Sequence, residues 1–439
     1  MFGYYLKLAL RSLKRNKVLT VLMVLTIAVG IGTAMTTLTI FRLLSADPLP
    51  HKSAQIFYPQ LDLSPEPPHP QRHPLDMLDY RSAMDLWQSG RTKRQAIVNT
   101  STIRVQAETS RPQMHSMLAT TADFFPMFEV PLRYGQAWSA AEDEARARVA
   151  VISADLNRSV FGGGNSVGKT LLVRGQAVRV IGVLDDWRPS PRFYNLAGGN
   201  FSEGKTAAFY DSPEAVFMPF SAALEVNDRN FTQFTCRGLP EVPGRLVDSS
   251  CVWLQLWVEL EGKAEMDAYR QFLASYAEQQ KAAGRIGQAD NTRLFDLNGW
   301  LAYNHAVPAD VGLQLWLALG FLLLCLFNTV GLLLARFMRK SGEYGVRRAL
   351  GATRGDIVRQ CLAEAAIIGL LGGALGFALV LFGLWRVRQL PVEYADLMRL
   401  DVPMFVLLFV VAVATSLLAG WIPALRASRI TPAIQLKTQ

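Results

Sequence analysis

Charge is missing from four long stretches of this 439-residue chain: residues 18–41, 311–335, 365–385 and 402–425. A helix rises about 1.5 Å per residue, so roughly 20 apolar residues cross a hydrocarbon core of about 30 Å. All four runs are long enough. None contains an internal acid or base, which argues against the proton and ion relays of secondary transporters. The first run follows basic residues as a secretory leader would. It far exceeds the roughly 7 to 15 apolar residues of a signal peptide, and reads as an uncleaved anchor.

Chemistry-bearing residues are also scarce. With five histidines and four cysteines, a metal or catalytic cluster has little to draw on. His69 and His73 are spaced as ligands could be, yet they stand in the proline-rich stretch LSPEPPHPQRHP without a cysteine or acidic cluster nearby. That is the setting of surface-loop residues. No G-x-S-x-G elbow and no H-E-x-x-H helix occurs. The expectation is a chain with no catalytic, cofactor-binding or metal site of its own.

What is present is half apolar and carries a formal charge of +9. The basic residues cluster at one side of the four spans. Lys7, Arg11, Lys14, Arg15 and Lys17 precede span one, and Arg336, Arg339, Lys340, Arg347, Arg348, Arg354 and Arg359 lie between spans two and three. Arg426, Arg429 and Lys437 follow span four. Short cytoplasmic segments carry the positive excess, so both termini are expected in the cytoplasm. The loop between spans three and four balances Arg386, Arg388 and Arg399 against Glu393, Asp396 and Asp401; it faces out. Residues 42–310 are thereby exported and slightly acidic, so the high pI reflects topology and no nucleic-acid partner is expected.

Within the exported part, DMLDYRSAMDLWQ has the apolar spacing of a short helix and QAIVNTSTIRVQAE alternates like a strand. Near its far end CVWLQLWVEL places Val252, Leu254, Leu256, Val258 and Leu260 on one strand face, and KAEMDAYRQFLASYAEQQKAAG follows as a helix. The two flanks are expected to pair into one α/β domain, 45–308, with roughly 120–250 inserted as a smaller β-rich subdomain. Cys236 and Cys251 bracket a loop in this oxidising compartment and are expected to bond; closing the loop is worth about 3 kcal/mol. Cys325 and Cys361 read as packing residues.

GGNSVGKT, residues 163–170, fits the phosphate-binding pattern G-x-x-x-x-G-K-[ST]. That loop needs a strand before it and a helix starting at the lysine. Here ADLNRSVF before it reads as a helix, and LLVRGQAVRVIGVL after it as a hairpin turning at Arg174-Gly175-Gln176. The order is reversed, Lys169 is exported, and no LSGGQ-type signature occurs, so nucleotide binding is not expected here.

Residues 2–17 form an amphipathic segment, with Phe2, Leu6, Ala9, Leu10 and Leu13 opposite Lys7, Arg11 and Lys14, suited to the inner leaflet's lipid surface. Span three carries Gly369 with Gly373 and Gly372 with Gly376 at four-residue spacing, and span one a weaker version in Ala28 with Gly32 and Gly30 with Ala34. Small residues of this kind mark helix-packing faces in lipid, within the chain or with a second subunit. Trp316, Trp385 and Trp421 sit near span ends as interfacial anchors.

Between spans two and three, 336–364 is far longer than a connector requires. Glycines at 342, 345 and 351 punctuate a short helix in SGEYGVRRALGATRGDI, and Glu343, Arg347 and Arg348 give it a charged surface to be touched from the cytoplasm. At these residues the chain resembles the MacB/FtsX-like, or mechanotransmission, ABC transporter permeases, whose loop reads R-x-x-E-I-G-x-R-R-A-L-G-A. Arg339, Glu343, Gly345, Arg347, Arg348, Ala349, Leu350, Gly351 and Ala352 match, and Tyr344 replaces the usual Ile. The tail GWIPALRASRITPAIQL, with Pro423, Ala424, Pro432 and Ala433, and the stretches FFPMFEVPLRYGQAW and VFGGGNSVGKTLLVRGQAVRVIGVL are similar to the same family.

The resemblance implies an integral membrane α-helical protein of the bacterial inner membrane. It implies an amphipathic segment 1–17, span one at 18–44, a large periplasmic α/β domain, and an FtsX-like membrane domain at 309–439. It further implies a dimer, homomeric or heteromeric, seated on separate cytoplasmic ABC ATPase subunits that hold ATP and magnesium. Glu343 and Gly345 to Gly351, Val346 included, form the coupling helix. A periplasmic adaptor or outer-membrane channel is a further implied partner. Efflux or extraction of a periplasmic substrate is the expected role; the alternatives are FtsX-type control of a periplasmic hydrolase, or sensing, and lipoprotein extraction. Residues 186–250 match no pattern, and the substrate is not legible.

Overall fold

The computed structural model describes residues 16–66, 73–107, 111–198, 206–236, 242–398 and 400–429. Of the amphipathic segment expected over 2–17, residues 2–15 lie outside the described residues, as do His69 and Pro432 with Ala433. The chain divides into two compact units, Met1–Ser45 with Pro308–Gln439, and Ala46–Val307.

The first unit is built on four helices long and apolar enough to cross a membrane: span one, Lys17–Leu44; span two, Ala309–Arg339; span three, Arg354–Arg388; and span four, Val402–Ser428. A separate short helix, Ser341–Ala349, stands between spans two and three. Each helix outruns its charge-free stretch. Span three does so most: it begins at Arg354, where Thr353 and Asp356 form a capping box, rather than at 365. The expected coupling loop is therefore a short helix followed by the first turns of span three.

Glycine decides how closely these helices pack. A Cβ on Gly372 would come within 2.6 Å of Ile27 in span one, and one on Gly369 within 2.7 Å of Ser416 in span four. Gly373 faces Ala412 and Phe409, Gly376 faces the backbone of Ala28, and Gly30 in span one faces Cys325 in span two. All four span-three glycines thus serve contacts within the chain. The Ser416 hydroxyl, which donates to the Ala365 carbonyl, fastens the same seam.

The second unit is an α/β domain. Its strands are β1 (Ile56–Leu61), β2 (Leu78–Asp79), β3 (Arg94–Gln106), β4 (Gln113–Thr120), β5 (Leu132–Gly135) and β6 (Val149–Ile152), then β7 (Thr170–Val173), β8 (Gln176–Leu184), β9 (Val216–Pro219), β10 (Val252–Glu259) and β11 (Thr292–Asp296). They form one sheet in the order β11-β1-β10-β3-β4-β9-β6-β8-β5, with β2 beside β10 and β7 joining β3 to β8. Most pairs are antiparallel; β4 with β9 and β6 with β8 are parallel.

Its helices are α1 (Tyr80–Gln88), α2 (Phe124–Met127), α3 (Ala140–Glu144), α4 (Ala154–Phe161), α5 (Phe220–Val226), α6 (Gly262–Ala282) and α7 (Leu297–Tyr303). Strand β10 is buried at all eight positions, not on one face as its alternation implied, because both sides of the sheet are covered. Leu256 and Val258 join the core under α1, α5 and α6, while Trp257 joins a second core with Phe124, Phe128, Tyr194 and Trp300.

The segment 120–250 contributes β5 to β9 to this same sheet, through β4–β9 and through Val105 against Val173 in β3–β7. Cys236 and Cys251 form a disulfide across 15 residues. The stretch 163–170 leaves helix α4 and enters strand β7, with the Lys169 ammonium 5.0 Å from the centre of the Phe161 ring. The hairpin turns at Arg174 and Gly175, both at positive φ, as the tight two-residue turn requires.

Candidate functional site

The short helix Ser341–Ala349 is amphipathic on a scale of two turns. Tyr344 and Gly345 are buried, whereas Glu343, Val346, Ala349 and Leu350 are exposed, Val346 by 56% and Leu350 by 83%. It stops because Gly351 adopts φ +100°, a left-handed residue that glycine takes without strain. The amides of Leu350, Gly351 and Ala352 then close back on the carbonyls of Val346, Arg348 and Arg347.

Three layers fasten this helix and the end of span two to the beginning of span three and, at one point, to the end of span four. Outermost, the Arg347 guanidinium donates to the Gln360 amide oxygen, and Arg348 Nη1 donates to the Ser428 carbonyl at 3.4 Å. In the middle, Cys361 Sγ lies 3.6 Å from the Tyr344 hydroxyl. Burial, and then the neighbouring Cys361 and Glu364, push the Tyr344 phenol well above its ordinary pKa, so it stays neutral. Innermost is a cluster of charges. Glu364 is fully buried; Lys340 Nζ sits 3.0 and 2.9 Å from its two oxygens, and Arg336 Nε donates at 3.3 Å. The equally buried Arg336 also donates to Thr20 Oγ1 of span one at 2.8 Å, and Thr20 donates on to the Asn16 carbonyl.

Gln360 and Cys361 both lie beside Glu364 because residues three and four apart stand together on a helix. Arg336 and Lys340 share a face of span two for the same reason. A buried carboxylate with two cationic partners is a fixed joint: removing the carboxylate would strand both cations at a cost of about 3–5 kcal/mol. The joint ties spans one, two and three at the base of the short helix.

Every residue expected to couple lies on this helix or its cap. Two differ from expectation: Arg347 and Arg348 are half-buried and turned onto their own chain, because a two-turn helix lying on a bundle points its flanking side chains inward. The outward surface is made instead by Glu343, Val346, Ala349 and Leu350. Arg336, Lys340, Glu364 and Thr20 were missed by sequence reasoning. The available signal was a lone acid, Glu364, immediately before a charge-free run.

Four helices long and apolar enough to cross a membrane, interrupted in sequence by a large α/β domain between the first two, are the architecture of a membrane protein with a large extramembrane domain. Residues 20–275, more than half of the chain, match the MacB-like periplasmic core domain, and residues 316–432 match the FtsX-like permease C-terminal domain. The chain belongs to the MacB/FtsX-like permease family, with its α/β domain as the periplasmic core. It is 25% identical over 317 residues to the macrolide export ATP-binding/permease protein MacB of Salmonella typhi, covering 71% of this chain and 42% of that protein. It is 27% identical over 325 residues to the pyoverdine export ATP-binding/permease protein PvdT of Pseudomonas aeruginosa, covering 72% and 41%. The chain thus spans about two fifths of the length of these curated relatives. The periplasmic region of MacB from Actinobacillus actinomycetemcomitans superposes with TM-score 0.36 at 12% identity, over 58% of this chain and 94% of that one.

Proposed function

We propose that this chain is the permease subunit of an ABC exporter of the bacterial inner membrane, driven by a separate cytoplasmic ATPase that binds the ATP and magnesium. The helix Ser341–Ala349 faces the cytoplasm, this chain and a second permease, identical or different, sit on the ATPase pair, and the periplasmic cores respond to the motion. The observation that carries this reading is the division of the short helix into two faces. One is locked to spans two and three through Lys340, Tyr344 and Arg347; the other leaves Val346 and Leu350 uncovered. Exposed aliphatic residues on a charged helix outside the apolar run are poorly placed for lipid and well placed for a protein groove. The names of MacB and PvdT support export as the outcome. The work available at the periplasmic cores is bounded by the difference in ATP affinity between the two states of the ATPase.

The test is capture of the ATPase from membranes by the full-length chain carrying Val346→Asp and Leu350→Asp. Recovered ATPase should fall at least tenfold while the chain's thermal midpoint stays unchanged. Undiminished capture, or ATP hydrolysis by the chain purified alone, would overturn the reading.

A further inference from the structure

The α/β domain contains a cleft of about 490 Å³ between the start of β2, the loop at Ala197–Gly198 and the strand-like segment before the disulfide. Its lining includes Leu75, Met77, Phe234 and Val252, together with Asp76. Sites for small molecules run from roughly 300 to 1,000 Å³, mostly apolar with a few convergent polar groups, and this cleft has that composition.

Asp76 is the unusual member. It is only 4% exposed, yet its carboxylate has no cationic partner among the described residues. Oδ1 accepts from the Gln60 side-chain amide at 3.1 Å and Oδ2 accepts from the Gly198 amide at 2.7 Å. Burial raises its pKa to about 6, against a smaller lowering by the Gly198 bond, so above that pH a poorly hydrated negative charge faces the cleft. A second acceptor, Gln233 Oε1, is buried in the same wall without a hydrogen-bond partner among the described residues. At the rim, the Phe234 ring is 44% exposed. The wall is held in place: Thr235 and Val252 exchange both backbone hydrogen bonds at 2.9 Å beside the Cys236–Cys251 bridge.

We infer that this cleft binds an organic ammonium ion with an apolar body, its charged head on Asp76 and its body between Leu75, Met77 and Phe234. Charge complementarity selects a cation, because an anion would meet an uncompensated carboxylate in a low-dielectric pocket. The unpartnered Gln233 oxygen selects a head that still carries N–H donors. The apolar walls select a hydrocarbon body, and the exposed Phe234 ring gives that body a face to pack on. The inference stands apart from the coupling reading, since the cleft is formed within the periplasmic core alone.

The test uses the full-length chain in nanodiscs and a diazirine-bearing phenylpropylammonium as photoprobe. Labelling should map to residues 75–77 and 232–235. Phenylpropylammonium should compete for it, and the neutral isostere phenylpropanol should not. Asp76→Asn should reduce labelling at least tenfold and Phe234→Ala several-fold. Because Asp76 also holds the Gly198 loop, Phe234→Ala, at an exposed position, decides the matter if the first variant fails to fold. Labelling that survives Phe234→Ala undiminished, or that phenylpropanol competes equally, overturns the inference.

Discussion

Two buried carboxylates set the two units of this chain apart. Glu364, in the membrane unit, is enclosed by Lys340 and Arg336, and Arg336 donates on to Thr20. Asp76, in the periplasmic core, is buried almost as deeply but is held only by two neutral donors. The difference teaches what burial is for in each place. A paired buried charge fixes the register of the helices that supply its partners, since the cost of separating them is large. An unpaired one lining a cleft leaves charge uncompensated and available to something that enters.

The sharpest way to break this contrast is Glu364→Gln. The substitution keeps the size but leaves Arg336 and Lys340 facing each other without a counter-charge, and should destabilise the membrane unit by about 3–5 kcal/mol. Thermal unfolding of the full chain in detergent would show it, and a midpoint equal to the wild type would mean that the cluster is not a joint. Adding Arg336→Met should recover part of the loss, because it removes one of the stranded cations.

The disulfide comes next. Replacing Cys236 and Cys251 by Ser opens a loop closed across 15 residues and should cost about 3 kcal/mol in the chain-entropy account. It would also loosen the wall that carries Gln233 and Phe234. Urea unfolding followed by tryptophan fluorescence reads the stability, and photolabelling at residues 232–235 reads the wall. A stability loss without a labelling loss would show that the cleft does not depend on its tether.

Asp76 itself predicts a pH dependence of definite sign. Its folded pKa is about 6 against an ordinary value of 3.8, so the folded state holds the proton to a higher pH than the unfolded chain does. Its contribution to stability is then greatest below about pH 4, declines as pH rises to about 6, and is flat above. About 3 kcal/mol is at stake, at roughly 1.4 kcal/mol per pKa unit. Other groups titrate in the same range, so the measurement is the difference between wild type and Asp76→Asn in urea midpoint from pH 4 to 7. A constant difference would remove the uncompensated charge from the account.

The sequence made the outer frame of this molecule readable and left its joints hidden, for one physical reason. Spans, strand β3, helix α6, the reversed order around Lys169 and the Cys236–Cys251 pair are set by local patterns: absence of charge, periodicity, turn residues, compartment. The charge cluster is not local. Glu364 meets partners 24 and 28 residues away on another helix, and Arg336 reaches Thr20 across 316 residues. Reading span three as starting where charge ends placed Glu364 one residue outside the membrane helix, although the helix runs on to Arg354. Asp76 gave no sign either, because Gly198, which holds it, stands 122 residues on in a segment without a recognisable pattern.

The smallest expected effect separates the layers within the joint. Tyr344→Phe removes only a hydroxyl whose neighbour is a thiol at 3.6 Å, and a thiol is a weak donor. The ring remains to fill its place, so the cost should stay below about 1 kcal/mol and capture of the ATPase should be unchanged. Glu364→Gln lies one helical turn further in and touches none of the outward side chains, yet it should weaken the transfer of motion from the short helix to span three. The comparison is between two variants that leave Val346 and Leu350 intact. If Tyr344→Phe impaired ATPase stimulation as severely as Glu364→Gln, the helix would be held by its neutral middle layer, and the buried charges would serve only the packing of the spans.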